Sequence, residues 1–253
     1  MDAANRRKSQ LRLILVLGGQ EREASMRKPL DAFRKVLRCG LAHLRRDPDR
    51  FLWRVNGVLH VGANIGEEAR RYNALGLNVL WVEPIPEVFG RLQANIAPYS
   101  NQRALQALLT DKNGAHYTFH IANNDGASSS ILELHLHIDI WPMVTYDRSI
   151  SLESATLCSL ASDHGLDLSL YPALVIDTQG SELLVLRGAE AILHNFKYIK
   201  TEVADFESYV DCCQLQELKA WLFTRGYREF SRKAFATHPN GGHYYDVVFR
   251  RGA

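Results

Sequence analysis

The stretches Val58-Leu-His-Val-Gly-Ala-Asn-Ile-Gly-Glu67 and Val79-Leu-Trp-Val-Glu83-Pro84 decide the fold of this chain. Residues 58–61 form a short apolar run, typical of a buried strand, and lead directly into a turn with glycines at positions 62 and 66. A helical stretch over residues 67–75 follows and ends at Gly76. The second apolar run predicts another buried strand that ends at the carboxylate of Glu83. We therefore predict a strand–helix–strand unit with a glycine turn after its first strand.

The glycine turn and Glu83 indicate the kind of ligand that this unit binds. Glycines allow the backbone to approach a ligand closely, and an acid at the tip of the second strand can accept both hydroxyl groups of a ribose. The glycine spacing departs from the dinucleotide fingerprint, and the turn contains no basic residue to hold a pyrophosphate. The ligand is therefore predicted to be a nucleoside without phosphates, of which S-adenosylmethionine is the commonest cofactor.

Composition sets the outer bounds of this interpretation. With 253 residues and 46% hydrophobic content, one globular domain with some decoration is expected. The net charge of +2 gives no sign of a nucleic-acid partner. The cysteines at positions 39, 158, 212 and 213 have neither metal-ligand spacing nor the pattern of a disulfide framework, which favours a cytoplasmic location. Residues 11–17 are the only candidate membrane segment, and they are far too short to span a bilayer.

The rest of the chain alternates predicted strands and helices. We expect residues 1–26 to be an N-terminal extension and residues 27–253 to form a single domain that begins with an amphipathic helix over 27–46. Further strands are predicted at 104–109, 116–122, 174–177, 198–203, 227–230 and 244–250, and further helices at 157–164, 182–193 and 214–224. Residues 123–154 are the least regular part, and we interpret them as an insertion over the active site.

Seven motifs together resemble those of the FkbM-type methyltransferases, over roughly residues 55 to 250. They are His60-Val-Gly-Ala-Asn-Ile-Gly66, Glu83-Pro84 with Pro86, Ala107-Leu-Leu-Thr-Asp111 before Gly114, Ser128-Ser-Ser-Ile131, Ile176-Asp-Thr-Gln-Gly-Ser-Glu182, Leu186-Arg-Gly-Ala189 and Thr201-Glu-Val203. The resemblance implies an α/β, class I methyltransferase fold with a seven-stranded, mostly parallel sheet ordered 3-2-1-4-5-7-6 and helices on both faces. It also implies an S-adenosylmethionine-dependent enzyme that methylates a hydroxyl of a sugar, glycan or natural product.

The resemblance also assigns a cofactor site. Asn64 is expected beside the methionine carboxylate of the cofactor, and Asp111 either near the adenine amino group or simply in a turn. At position 60 the family more often has an aspartate that helps to anchor the amino-acid end of the cofactor, so His60 is a departure. The expected cofactor-binding residues are His60, Gly62, Ala63, Asn64, Gly66, Glu83, Pro84, Asp111, Ser129 and Asp177.

Three acids are the candidate catalytic residues. Asp177 ends the fourth predicted strand, at the carboxyl edge where open α/β sheets bind ligands, and no Lys or Arg lies near it in the sequence. Glu182 and Glu202 could converge on it. Three roles remain open for these acids: a general base, a hydrogen-bond acceptor for the sulfonium side of the cofactor, and a metal site, although no metal is expected. Glu182 could instead cap its helix.

The candidate substrate residues are His135, His137, Trp141 and Gln179. Two histidines at i and i+2 would face the same side of a strand, and a histidine pair without a third partner is weak evidence for a metal. We therefore favour substrate contact or an exposed strand face. Trp141 or Tyr146 would suit stacking against a sugar ring.

Two classes of function remain. The first is an O-methyltransferase with a small-molecule or glycan acceptor, and a homodimer is left open. The second is a catalytically silent nucleoside-binding or scaffold module of a biosynthetic assembly, for which His60 is the main argument. A nicotinamide-dependent dehydrogenase is a weaker third interpretation. It predicts a change in cofactor absorbance when NADH is added to the purified protein, and we expect no such change.

Overall fold

The computed structural model describes residues 48–252, and the chain divides after Trp53. The predicted extension over 1–26, the predicted helix over 27–46 and Cys39 therefore lie outside the described residues. A 3₁₀ segment, Pro48–Arg54, precedes the first strand. Within the described residues, no helix has the length and apolar character needed to cross a membrane.

A seven-stranded sheet forms the centre of the unit that begins at Arg54. Its strands are β1 (Gly57–Val61), β2 (Asn78–Glu83), β3 (Gln102–Gln106), β7 (Ala173–Ile176), β8 (Tyr198–Ala204), β9 (Tyr227–Thr237) and β10 (His243–Arg251). Within this sheet, the pairs β8–β10 and β9–β10 are antiparallel and the other pairs are parallel. The predicted α/β fold with a mostly parallel seven-stranded sheet is confirmed. Its order in chain labels, β3-β2-β1-β7-β8-β10-β9, departs from the predicted numbering because strands β4 to β6 belong to another sheet.

The helices are short and cover the sheet. They are α1 (Ala69–Ala74), α2 (Pro86–Ile96), α3 (His137–Ile140), α4 (Leu157–Asp163), α5 (Glu182–Gly188) and α6 (Leu215–Thr224), with 3₁₀ segments at Leu168–Leu170 and Glu190–Asn195. Leu59 of β1 and leucines of α4, α5 and α6 belong to one buried cluster. His60 has the opposite orientation because side chains alternate along a strand, and it contacts Tyr72 of α1. Helices thus cover both faces.

A second, three-stranded sheet lies outside this order. It consists of β4 (Leu108–Leu109), β6 (Tyr146–Ala155) and β5 (His116–Ala122), in that spatial order. The predicted third strand over 104–109 is therefore two strands in two different sheets. The segment predicted to be irregular, 123–154, also contains most of β6, whose exposed and half-buried residues gave no apolar run to detect.

The central strands are buried almost completely, because helices cover both of their faces. Every residue of β1 and β7 is buried, and so is every residue of β2 after Asn78. This explains why the apolar runs of the sequence were continuous rather than alternating. Complete burial of a Val, Leu or Ile side chain contributes about 2 kcal/mol, so these strands form a rigid support for the loops at their carboxyl ends.

Candidate active site

The carboxyl ends of β1, β2 and β7 meet at one point. Val61 of β1 lies opposite Val82 on one side and Ile176 on the other. Beyond these residues, the Gly62 N–H donates to the Val82 carbonyl at 3.0 Å, and the Asp177 N–H donates to the Val61 carbonyl at 3.0 Å. The glycine turn, Glu83 and Asp177 thereby start from the same edge of the sheet.

The two glycines of the turn have different steric reasons to be glycine. Gly62 has φ +76°, and a Cβ there would lie 1.7 Å from the carbonyl oxygen of Asp177. Gly66 has φ +74°, and its Cβ would lie 2.7 Å from the Leu92 side chain of α2. Gly62 therefore lets the backbones of β1 and β7 approach each other, whereas Gly66 lets the turn pack on α2.

A cavity of about 320 Å³ opens at this edge of the sheet. Its size lies within the range of small-molecule sites. As far as the described residues go, its lining contains five carboxylates and no lysine or arginine. Nine of the predicted site residues line it: His60, Gly62, Ala63, Asn64, Glu83, Pro84, Ser129, Asp177 and Gln179.

Glu83 is buried in the cavity wall, with 4% of its surface exposed. Its Oε1 accepts the Ile85 N–H at 3.0 Å and its Oε2 accepts the Asn64 N–H at 2.9 Å. Burial raises the pKa of Glu83 to about 7, against the lowering effect of these two hydrogen bonds. Each carboxylate oxygen keeps a second lone pair, so Glu83 can still accept hydrogen bonds from a ligand.

Asn64 holds the turn with its backbone and its side chain. It has φ +45°, a left-handed conformation that asparagine tolerates better than most residues. Its Oδ1 accepts the Ile65 N–H at 2.6 Å, and its Nδ2 donates to the Asp125 carbonyl at 3.4 Å. The side chain thus connects the glycine turn to the loop after β5.

Asp177 borders the cavity just after the end of β7. Burial is the main cause that raises its pKa to about 6, and the Gln179 hydrogen bond and the charge of Lys200 lower it. The sequence suggested no neutralising cation, but Lys200 of β8 lies close enough to act on Asp177. It also forms an ion pair with Asp246 at 3.0 Å.

Glu182 does not line the cavity. It is buried at the start of α5, where its Oε1 accepts the backbone N–H groups of Thr178 and Gly180, each at 3.0 Å. Burial raises the pKa of Glu182 to about 7. Through these two hydrogen bonds, Glu182 anchors the loop between β7 and α5.

Glu202 also lies outside the cavity. It is half-buried on β8, opposite Asp246 of β10, and lines a separate space of about 10 Å³ behind the site. Burial, followed by the charges of Asp177 and Asp246, raises the pKa of Glu202 well above its usual value. The structure therefore brings the three predicted acids close in space, but it turns only Asp177 toward the cavity.

Gly66 and Asp111 are the two predicted cofactor residues that do not line the cavity. Asp111 follows Thr110 in a turn, where the Thr110 hydroxyl accepts the Lys112 N–H at 3.1 Å. Leu108 and Leu109, which precede this turn, do line the cavity. The side of the site near β4 is therefore apolar.

The predicted substrate residues His135, His137 and Trp141 also lie outside the cavity lining. The expectation that the two histidines share a strand face was wrong, because His137 starts helix α3 and His135 precedes it. His135 is exposed, whereas His137 is buried between Tyr244, whose OH lies 2.7 Å from Nδ1, and Ser128, whose Oγ lies 3.1 Å from Nε2. Burial lowers the pKa of His137 to about 4, so it is neutral at physiological pH. Trp141 packs on the His137 ring.

His60 is part of an aromatic stack on the face of the sheet. Its ring stacks on Trp81 with centroids 4.9 Å apart, and its Nδ1 lies 3.4 Å from the Tyr72 hydroxyl. It also borders the cavity. The departure from the expected acid at this position is thus accommodated by packing.

Sequence reasoning missed several lining residues. Phe119 lies on β5, which was predicted from its alternating pattern, but nothing in that pattern indicated that Phe119 faces the site. Glu67 and Glu68 were interpreted only as helix residues, and Asn124 to Ala127 only as part of the insertion. Among the described residues, no group of three or more His, Cys, Asp or Glu side chains is arranged to hold a metal ion.

The fold and the site define a class: an α/β protein with a cavity of small-molecule size at the carboxyl edge of a mostly parallel sheet. The family model of the FkbM methyltransferase domain matches residues 60–229, so the chain belongs to the FkbM methyltransferase family. It is an S-adenosylmethionine-dependent methyltransferase. No curated protein matches the chain.

Solved structures with a similar fold have low sequence identity. An uncharacterized protein from Listeria monocytogenes serotype 4b is 10% identical with a TM-score of 0.45, covering 78% of this chain and 62% of its own. The trans-methyltransferase CalH in complex with SAH is 10% identical with a TM-score of 0.46, covering 78% of this chain and 52% of its own. Magnesium protoporphyrin IX methyltransferase from Synechocystis PCC 6803 with bound SAM is 8% identical with a TM-score of 0.43, covering 87% and 79%.

Proposed function

We propose that the protein methylates a hydroxyl group of a sugar, a glycan or a glycosylated natural product, with Asp177 as the general base. The observation that carries this proposal is Asp177 itself, which borders the cavity at the sheet edge with a pKa raised to about 6. Such a carboxylate is mainly ionised at neutral pH, yet it is more basic than an exposed aspartate. It therefore suits removal of a hydroxyl proton during transfer.

The residues around the cavity fit the cofactor. Gly62 lets the turn lie directly against the backbone of Asp177 at the edge of the cavity, and the buried Glu83 can accept the two ribose hydroxyls. Asn64 and His60 border the same space and are assigned to the amino-acid end. When bound, S-adenosylmethionine supplies an electrophilic methyl group on a sulfonium centre. The residues of the chain fix the orientation of the donor and of the acceptor hydroxyl.

The acceptor is assigned from the polar part of the lining. Asn124, Asp125 and Ser129 offer hydrogen-bonding groups in the cavity wall, which suits a polyol. Trp141 and Tyr146 do not line the cavity, so the expected stacking of a sugar on them has no support. Phe119 does line the cavity and offers an aromatic ring against which a sugar could stack. The free thiols at Cys158, Cys212 and Cys213 support a cytoplasmic location.

Two measurements test this function. Calorimetric titration with S-adenosylhomocysteine should give measurable binding that weakens in Glu83→Ala, and absence of binding to the wild type would contradict the cofactor site. A radiolabelled methyl-transfer screen over sugars, cell-surface glycans and glycosylated natural products should then identify a hydroxyl acceptor. Label transferred only to nitrogen or carbon would overturn the O-methylation assignment.

The alternative function is a silent nucleoside-binding module, and His60 is the observation that favours it. The two differ in outcome, because a silent module binds S-adenosylhomocysteine but transfers no methyl group to any acceptor. Asp177 on the cavity surface argues for the enzyme, since a carboxylate with a raised pKa in a cavity is typical of catalytic sites.

A further inference from the structure

Behind Asp177, two side chains form a hydrogen-bonded series that the proposed function does not use. The Gln179 Nε2 donates to the Asp177 Oδ1 at 2.6 Å. The Tyr209 hydroxyl donates to the Gln179 Oε1 at 2.7 Å. Tyr209 is buried and lies 30 residues from Gln179 in the sequence, so no local motif predicts the contact.

The direction of this series is fixed by chemistry. Burial raises the pKa of Tyr209, so its hydroxyl keeps its proton and can donate it to Gln179. An amide oxygen only accepts hydrogen bonds, and therefore the nitrogen side of the Gln179 amide faces Asp177. A donor at 2.6 Å requires an acceptor, and the Asp177 Oδ1 accepts this bond more strongly when the carboxyl is ionised.

The backbone around Gln179 is also held in place. Gln179 has φ +52°, a left-handed conformation that is unfavourable for a residue with a side chain. The Ser130 hydroxyl donates to its carbonyl at 2.7 Å. Glu182 holds the N–H groups on both sides of it, those of Thr178 and Gly180. A strained residue that is fixed at three points next to a reactive group is typical of a functional site.

We propose that Gln179 and Tyr209 are positioning residues, which hold the Asp177 carboxylate in one orientation and keep it ionised through the series Tyr209 to Gln179 to Asp177. This inference rests on the proposed role of Asp177 as the base. Gln179 then belongs to the machinery of the base, in contrast to the substrate contact that the sequence suggested. Tyr209 acts only through Gln179.

The series matters because most neighbours of Asp177 disfavour its charge. Burial raises its pKa and the Gln179 hydrogen bond is the largest effect that lowers it. Lys200 also favours the ionised form, but it is shared with Asp246. The titratable groups that interact with Asp177 are Glu68, Glu83, Glu182, Lys200, Glu202, Tyr209 and Asp246. Loss of the amide donor would therefore leave Asp177 protonated over more of the physiological range.

The test is an NMR titration of the Asp177 carboxyl carbon in full-length protein labelled at aspartate, with the signal assigned by its loss in Asp177→Asn. Gln179→Met keeps the length of the side chain and removes its hydrogen bonds with Asp177, Tyr209 and Glu202. We expect the Asp177 titration midpoint to rise by about one pH unit in Gln179→Met, because hydrogen bonds to charged groups have this magnitude. Tyr209→Phe should raise it by less, since the amide remains but can rotate.

Tyr244→Phe is the matched control. Tyr244 is buried in the same aromatic region, but its hydroxyl lies 2.7 Å from the His137 Nδ1 and has no hydrogen bond with Gln179. Its removal should lower stability about as much as Tyr209→Phe and leave the Asp177 midpoint unchanged. A merely structural role of Tyr209 predicts the same midpoint in both tyrosine variants, and this result would overturn the proposal.

The titration needs neither cofactor nor acceptor, so its outcome is independent of the proposed function. A raised midpoint in a protein that methylates no hydroxyl acceptor would uphold the series and reject the proposed function. An unchanged midpoint in Gln179→Met would reject the series, whatever the activity. Once an acceptor is identified, the pH–rate profile of Gln179→Met should move to higher pH, with turnover largely recovered about one pH unit above the wild type.

Discussion

At the scale of single residues, the site depends on two acids that differ in their environment. Glu83 accepts two backbone N–H groups at the end of β2, whereas Asp177 accepts a side-chain amide at the end of β7. Both have a raised pKa because they are buried. In the proposed function Glu83 holds the cofactor and Asp177 accepts a proton, so exchanging either carboxylate for an amide should separate the two roles.

The first prediction concerns this separation. Asp177→Asn keeps the shape and removes the base, so turnover should fall by roughly 10²–10⁴ while the Kd of S-adenosylhomocysteine changes little. Glu83→Gln is the matched variant, and it should weaken cofactor binding by more than it slows saturated turnover. Calorimetry and radiolabel transfer measure the two quantities. A large loss of cofactor affinity in Asp177→Asn would make Asp177 a binding residue, and wild-type turnover would move the catalytic edge elsewhere.

The second prediction concerns His60. His60→Asp would introduce the acid that the family more often has, but into an aromatic stack with Trp81 and Tyr72 and beside a lining already rich in carboxylates. We expect a loss of about 1–3 kcal/mol of stability, since the aspartate would lose the ring packing of His60 and be removed from water. S-adenosylhomocysteine should not bind more tightly. His60→Gln is the uncharged control. Tighter binding of S-adenosylhomocysteine to His60→Asp than to the wild type would contradict the prediction and would indicate that histidine at position 60 weakens the cofactor site.

At the scale of elements, the turn between β1 and α1 places the site, and the third prediction tests its geometry. Gly62→Ala should destabilise the protein by more than about 4 kcal/mol, because the new Cβ would lie 1.7 Å from the Asp177 carbonyl oxygen. Gly76→Ala is the matched control: it has a similar φ of +66° but no atom within 4 Å of the added Cβ. It should lose only about 1 kcal/mol, the cost of the left-handed conformation. Urea unfolding compares the two, and equal losses would mean that the turn relaxes.

The sequence predicted those elements whose signal is local. The apolar runs at Val58 to Val61 and Val79 to Val82 are buried strands because each is covered on both faces, and this produces a continuous apolar pattern. Strand β6 was not predicted because most of its residues are exposed or half-buried, so its sequence has no apolar run. The histidines were misplaced since a two-residue spacing means one face only if the segment is a strand, and here it leads into α3.

The site was predictable to the same degree. Gly62 and Asp177 come directly after buried strands and Glu83 ends one, so the topology of parallel strands brings them to one edge. The contact of Tyr209 with Gln179 depends on how the loop after β8 returns over the sheet, which no short pattern contains. Glu182 was ambiguous in the sequence because a carboxylate at a helix start can serve as a cap or as an acid, and its hydrogen bonds to Thr178 and Gly180 favour an anchor.

At the scale of the whole molecule, the carboxyl edge of the sheet concentrates buried acids. Glu83, Asp177, Glu182 and Glu202 all have a pKa that burial raises, and several of them raise the pKa of one another. In the unfolded chain these groups are ionised above their usual values near 4. Their ionisation in the folded protein is therefore unfavourable, and the stability of the molecule depends on pH through these acids. The buried His137 acts in the opposite direction below about pH 6.5, because its pKa is lowered to about 4.

The fourth prediction follows from the sign of this dependence. Between about pH 4.5 and 7 the folded protein retains protons on Glu83 and Glu182 that the unfolded chain has released, so the free energy of unfolding should fall as the pH rises. For Glu182, a pKa raised from 4.5 to about 7 corresponds to roughly 3 kcal/mol when the shift is complete. Glu182→Gln keeps an oxygen for the Thr178 and Gly180 N–H groups and cannot ionise. It should therefore be more stable than the wild type at pH 8 and similar to it at pH 5.

Glu87→Gln is the control for this prediction. Glu87 is exposed on α2. A hydrogen bond from its own backbone N–H and then one from Arg148 lower its pKa, so its replacement should not raise stability at pH 8. Urea unfolding at pH 5 and pH 8 measures all three proteins. A constant difference between Glu182→Gln and the wild type at both pH values would mean that Glu182 is already ionised at pH 5. In that case the N–H groups of Thr178 and Gly180 outweigh burial, and Glu182 anchors its loop as a carboxylate.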